Sequence, residues 1–187
     1  MNKLETFNPE HISVVTNAVA MAEELVSNFY KMSQRQWLNN RYDVKTLKDL
    51  SPDEIVHGPF AQIIRYEGKK KDTYLGSSVY DFYKICLQDD SILSELKRSA
   101  DMELFPFMLY IIIHELIHIV RFSKFLQHFN ASYPERMAEE KRVHKKTNEI
   151  LEPVHITGLQ DVLNFYGKWH TPFENIKNTC RKPLDNT

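Results

Sequence analysis

From Leu104 to Ile113 every residue except Pro106 is apolar or aromatic, and the stretch stays mostly apolar through Phe129 without a glycine. A helix that is apolar on all sides belongs inside a core or inside a bilayer, because neither of its faces suits water. Pro106 fits near the first turn, where the missing N–H goes unused, so the run reads as a helix over about 105–129. Leu104 to Val120 is 17 residues long, close to the lower limit for a bilayer crossing. No second apolar run of that length exists in the chain. A buried core helix is therefore expected, with no membrane.

Midway along this run stand His114, Glu115, Leu116, Ile117 and His118. Positions i and i+4 of a helix lie one above the other, so both imidazoles face one side, with Glu115 one residue round. Burying two histidines and a carboxylate among Ile and Phe is costly unless something satisfies them. A metal ion does so directly, and HExxH is the arrangement in which two histidines bind zinc while the glutamate acts as general base. The competing reading of the same residues is two core histidines bonded to backbone, with Glu115 emerging at a rim.

The rest of the chain supplies what would pack on this helix. Its 187 residues suit one domain spanning 1–187. Asn8-Pro9 is an N-cap followed by N1, and Ile12, Val15, Val19, Ala22, Val26 and Phe29 keep helical spacing. The expected N-terminal helix runs over about 9–37, with Glu23, Glu24 and Lys31 solvated, and the segment to Pro52 reads as a short helix or connector. FAQIIRY (60–66) and VYDFYKICL (79–87) are rich in β-branched and aromatic residues. Turn signals at Glu67-Gly68 and Gly76-Ser77-Ser78 separate them, predicting a small antiparallel sheet over about 54–88. Asp89-Asp90-Ser91 reads as the cap of a short helix to about Arg98. Tyr133-Pro134-Glu135 opens a helix over about 134–151, and a final short helix and irregular tail follow. The fold class is thus α+β, mainly helical, with the sheet packed on the central helix.

Charge and cysteines narrow the function. A net charge of −1 provides no field for nucleic acid, and Lys69-Lys70-Lys71 reads as a solvated hairpin tip. The opening MNKLETFNPEHIS lacks a signal-peptide pattern, and Cys86 and Cys180 are too few for a disulfide scaffold. A reduced, cytoplasmic setting is the expectation.

A catalytic zinc takes three protein ligands and keeps a position for water. His128, ten residues past His118, would sit roughly 15 Å further along a continued helix, which is too far. The next helix offers Met137, Glu140, His144, Thr147 and Leu151 as an inward stripe, with Glu139 turned toward Arg142 and the surface. A short loop makes the two helices an antiparallel hairpin, which would return Glu140 toward the two histidines. Glu140 is the preferred third ligand and His144 the alternative.

With HExxH at His114–His118 and a Glu on a second helix, the chain resembles the gluzincin branch of the zincin metallopeptidases. It departs from the metzincin pattern, having Arg121 and Lys124 where that pattern has Gly and His. Several gluzincins carry an Asp four residues after the glutamate ligand, where this chain has His144. The resemblance implies a zincin-like fold, one zinc ion (Zn2+) per chain, a peptide or protein substrate, and peptide-bond hydrolysis with Glu115 as general base. It also implies an oxyanion-stabilising His or Tyr, for which Tyr133, His155, Tyr166 and His170 are available. Two other readings stand beside it. One is a non-catalytic metal-binding or regulatory module that keeps the zincin-like fold. The other is a di-iron carboxylate bundle, which would need a second Glu-x-x-His and no sheet.

Overall fold

The apolar run forms helix α4, Leu104–Ser123, and from Pro106 to Phe122 every residue on it is buried except Glu115. Such a helix needs partners all round. It has them in α1 (Pro9–Tyr30), α5 (Tyr133–Leu151), α6 (Leu159–Gly167) and strand β2 (Ala61–Lys69). The computed structural model describes residues 4–39, 41–69, 79–124, 126 and 131–167. Within these, α2 (Gln34–Asn39), β1 (Arg41–Lys45), β3 (Val79–Leu87) and α3 (Asp89–Arg98) complete the elements longer than a single 3₁₀ turn. Phe107, Leu109, Ile112, Leu116 and Ile117 are wholly enclosed, and each such side chain contributes on the order of 1.5–3 kcal/mol on burial. By length and composition α4 could cross a bilayer, yet 83% of its most apolar stretch is buried inside the fold. Its apolarity is accounted for by the core.

The fold is α+β and mainly helical, as expected, but the sheet is mixed and not antiparallel. Its strand order is β1-β3-β2. β2 and β3 pair antiparallel, with Ala61 opposite Leu87 and Ile63 opposite Ile85. β1 lies parallel to β3, Tyr42 opposite Tyr83. The segment from Arg41 to Pro52, expected as a short helix or connector, thus holds a strand: RYDVK is short and three of its five residues are charged, and an edge strand with one partner needs no stronger signal. Ala61, Ile63, Tyr83, Ile85 and Leu87 join the core around α4. On the strands' other face, Lys84 Nζ reaches both carboxylate oxygens of buried Glu54 at 2.8 Å, and the Tyr66 hydroxyl donates to the same carboxylate at 2.9 Å.

Several boundaries shift for local reasons. α1 is capped by Asn8, whose side chain accepts from His11 N at 2.7 Å, but it ends at Tyr30 and not near Trp37. Lys31 turns left-handed, which lets Trp37 fold back and donate from Nε1 to Ser27 Oγ at 2.7 Å. A continuous helix would have carried Trp37 roughly 15 Å from Ser27 and left the indole in water. Ile12 and Phe29, expected inward, are exposed, while Ala18 is buried. Glu23 is half-buried and accepts from the Tyr42 hydroxyl, so it is not simply solvated. Glu67 and Gly68, expected in a turn, lie within β2. Asp89 is buried and binds Phe7 N and Leu47 N, each at 2.9 Å, tying the N-terminal segment to α3 where a simple cap was expected. Lys70, Lys71, Gly76–Ser78, His128, Phe129, Trp169, His170, Pro172, Cys180 and Pro183 lie outside the described residues.

Candidate metal centre

α5 begins with a capping box in which Ser132 and Glu135 satisfy each other's backbone N–H groups, and Pro134 sits in its first turn. It then runs back along α4. The partners show the direction: Tyr110 meets His144, His114 meets Glu140, and Arg121 meets Glu139. The buried stripe of α5 is Glu139, Glu140, Val143, Thr147, Ile150 and Leu151. It is rotated from the expected one, leaving Met137 and His144 half-buried at its flank. The rotation is set by Arg121, a buried cation on α4 that Glu139 neutralises, with Nη2 donating at 3.1 Å. Glu139 was expected at the surface. It is buried because an arginine three residues past His118 draws it in, and it also pairs with Arg142.

The same rotation brings Glu140 to the histidines. His114 Nε2 lies 3.1 Å from Glu140 Oε2, His118 Nε2 lies 3.1 Å from Glu140 Oε1, and the two Nε2 atoms are 3.2 Å apart. All three residues are buried. Burial alone would raise the Glu140 carboxyl, but His118 and His114 beside it hold it well below the usual carboxylate range. Glu140 is therefore an acceptor only.

This triangle tests whether a metal fits. A neutral imidazole nitrogen either carries a proton or offers a lone pair. If both Nε2 atoms donate to Glu140, two N–H groups confront each other at the third edge. If one Nε2 is bare, its lone pair faces a carboxylate oxygen. Protons cannot satisfy all three edges, whereas a cation at the centre satisfies them together. Donors about 2.0–2.1 Å from a tetrahedral zinc stand about 3.3 Å from one another, close to the spacings here. The ligand atoms of His114, His118 and Glu140 all lie within 4.8 Å of one another, and no other such group occurs among the described residues. The donor set of two imidazoles and one carboxylate suits zinc. His144 is not part of it.

Glu115 leaves the enclosed face of α4 and lines a small cavity with Phe60, Ala61, Ile111, His114, His144 and Tyr166. The cavity offers about 20 Å³ to the centre of a water molecule, room for about one. Burial raises the Glu115 carboxyl, against the pull of His114 and His118, and Glu140 adds to the rise. A carboxyl with raised proton affinity beside space for one water has the character of a general base.

On the far wall stands His144, whose ring centre is 4.4 Å from that of His114. Its Nδ1 is 2.9 Å from the Tyr110 hydroxyl, and Tyr110 stacks on Tyr166 with ring centres 3.8 Å apart. Burial, with His114 adding, pushes His144 down to about 3, so the ring is neutral. Of the described residues that the resemblance offers for oxyanion stabilisation, Tyr166 lines this cavity. Tyr133 and His155 are exposed elsewhere, and His170 lies outside the described residues. Tyr110 was missed, although its spacing of four from His114 was there to be read.

Comparison with protein-family models, with curated proteins and with solved structures returned no match. The class therefore rests on fold and site: an α+β, mainly helical chain with a buried His-His-Glu cluster beside a glutamate-lined cavity.

Proposed function

We propose that this chain is a gluzincin-like zinc peptidase, with one zinc held by His114, His118 and Glu140 and with Glu115 as general base. The observation that carries the reading is the triangle of 3.1, 3.1 and 3.2 Å contacts, which no placement of protons on the two rings satisfies while Glu140 is ionised. Glu140 is the third ligand because its oxygens contact both histidines, whereas His144 is turned to Tyr110. A bound zinc supplies a Lewis acid that acidifies water and polarises a carbonyl. Glu115 takes the proton of the water that attacks the peptide carbon and returns it to the leaving amine nitrogen. The substrate class, peptide or protein, follows from the gluzincin resemblance.

One observation favours the second reading, a metal module without turnover: the cavity at Glu115 holds about one water and no peptide. An open groove of about 650 Å³ between α5 and α6 shares His144 and Tyr166 with that cavity. Substrate access on the peptidase reading runs through those two side chains. Metal analysis of untagged protein, followed by a peptide-library screen with zinc-loaded wild type and Glu115→Gln, separates the readings. The peptidase cleaves, is stopped by chelator, and loses cleavage but not zinc in the variant. A chain that binds zinc and cleaves nothing is the inert module.

A further inference from the structure

We propose that the groove between α5 and α6 selects the substrate by charge, taking a peptide with an acidic residue beside the scissile bond and a basic residue about four positions further along the same side. This names the substrate class of the site proposed above and rests on the peptidase reading for the place of the cut. The groove is open, about 650 Å³ in volume, and meets the cavity beside Glu115 at His144 and Tyr166, which line both. Its α5 wall is a single helix face, because Lys141, His144, Lys145, Asn148, Glu149 and Glu152 follow one another at i+3 and i+4 spacing. Lys141 and Lys145 stand on the turn that carries His144, so the end of the groove nearest the catalytic cavity is cationic. Glu152 stands at the other end.

These charges are free to meet a ligand. Of the four cations between Lys141 and Lys146, Arg142 pairs with Glu139 and Lys146 with Glu149. Lys141 and Lys145 are exposed and form no ion pair among the described residues. Glu149, one turn past Lys145, is already held by Lys146 at 2.7 Å, which leaves Glu152 as the exposed and unpaired acid of the stripe among the described residues. Glu152 comes seven residues after Lys145 and eleven after Lys141, roughly 13 Å away on average along the axis. An extended peptide spans that distance in about four residues. Between the two ends, Leu163 of α6 gives the groove an apolar wall for the intervening side chains. A nucleic acid or a uniformly acidic peptide meets like charge at Glu152, and a uniformly basic one meets it at the lysines. Both signs, in this order from the cut, are what the stripe complements.

The test uses full-length, zinc-loaded protein in two arms. In the first, wild type digests a sequence-balanced peptide library and mass spectrometry maps the cuts. Asp and Glu should be enriched about 2- to 10-fold beside the cut on one side, the effect of two exposed charge pairs, with Lys and Arg enriched further along that side. Lys141→Glu/Lys145→Glu should reverse the sign preferred at the near position, and Glu152→Lys the sign at the far one. The second arm measures binding without turnover, by fluorescence anisotropy on the Glu115→Gln protein. Its probes are a labelled peptide carrying Glu and Lys four positions apart, and the same peptide with both replaced by Ala. Adding Lys141→Glu/Lys145→Glu should lower the ratio of charged- to neutral-peptide affinity about 2- to 10-fold, and high salt should shrink the effect. A cut pattern or an affinity ratio that does not change on charge reversal would overturn the proposal. Charge-dependent binding with no cleavage by wild type would leave the charge recognition standing and remove the peptidase reading alone. Neither binding nor cleavage would remove both.

Discussion

Zinc should raise the melting temperature of this protein, and Glu140→Ala should erase the rise. A ligand that binds only the native state stabilises it by about 4 kcal/mol when present at about 1,000 times its dissociation constant. For a chain of 187 residues, each kcal/mol moves the midpoint by about 2–4 °C, so the expected shift is about 8–16 °C. Glu140 contributes an oxygen to each histidine contact, at 3.1 Å in both cases. Its removal leaves two imidazoles 3.2 Å apart, which one shared proton can satisfy without metal. The Ala variant should therefore melt at one temperature with or without zinc. His144→Ala leaves all three donors in place and removes a ring packed on His114 together with the partner of the Tyr110 hydroxyl. A 10- to 100-fold loss of affinity, the usual effect of disturbing the surroundings of a ligand, would still leave about one third to two thirds of the shift at the same zinc concentration. Differential scanning calorimetry of the three proteins, stripped and then reloaded, measures all of this. A shift that survives Glu140→Ala and vanishes in His144→Ala would refute the ligand assignment and the gluzincin label with it.

Glu115→Gln should bind zinc like wild type and lose hydrolysis, since the amide cannot take a proton from water; metal stoichiometry and peptide cleavage measured on one preparation check it. Arg121→Met should destabilise the fold by about 3 kcal/mol, the low end for breaking a buried pair, because Glu139, next to Glu140, then keeps only the more exposed Arg142 as its cation. Urea denaturation reads the loss, and the double variant Arg121→Met/Glu139→Leu should recover most of it. A third expectation concerns acid. Burial raises the Glu54 carboxyl, but hydrogen bonds from Lys84, Ser51 and Tyr66 outweigh it and leave the group below its ordinary 4.5. A depressed carboxyl stabilises the fold above its unfolded value, and that stability is lost as pH falls from about 4.5 toward the folded value. Lys84→Met should make the denaturation midpoint flatter across that acid range; an unchanged slope would refute the role given to the pair.

Helical geometry is local, which is why the core of this protein could be read from one dimension. The run from Leu104 to Ile113 has no polar face to give to water, so it had to be the enclosed helix. The spacing of His114 and His118 put their rings together whatever packed around them. Asn8-Pro9 started a helix for reasons contained in those two residues and His11. What depended on a second element was not legible. Strand Arg41–Lys45 exists because β3 offers it a parallel partner, and nothing within RYDVK encodes that orientation. The burial of Glu139 turned on the rotation of α5, which brings it against a buried arginine on α4. The meeting of Tyr110 with His144 joins residues 34 positions apart. It needed the antiparallel return of α5 at one particular register, because hydrogen bonds between helices form over about 3 Å while one residue of helix advances by about half of that.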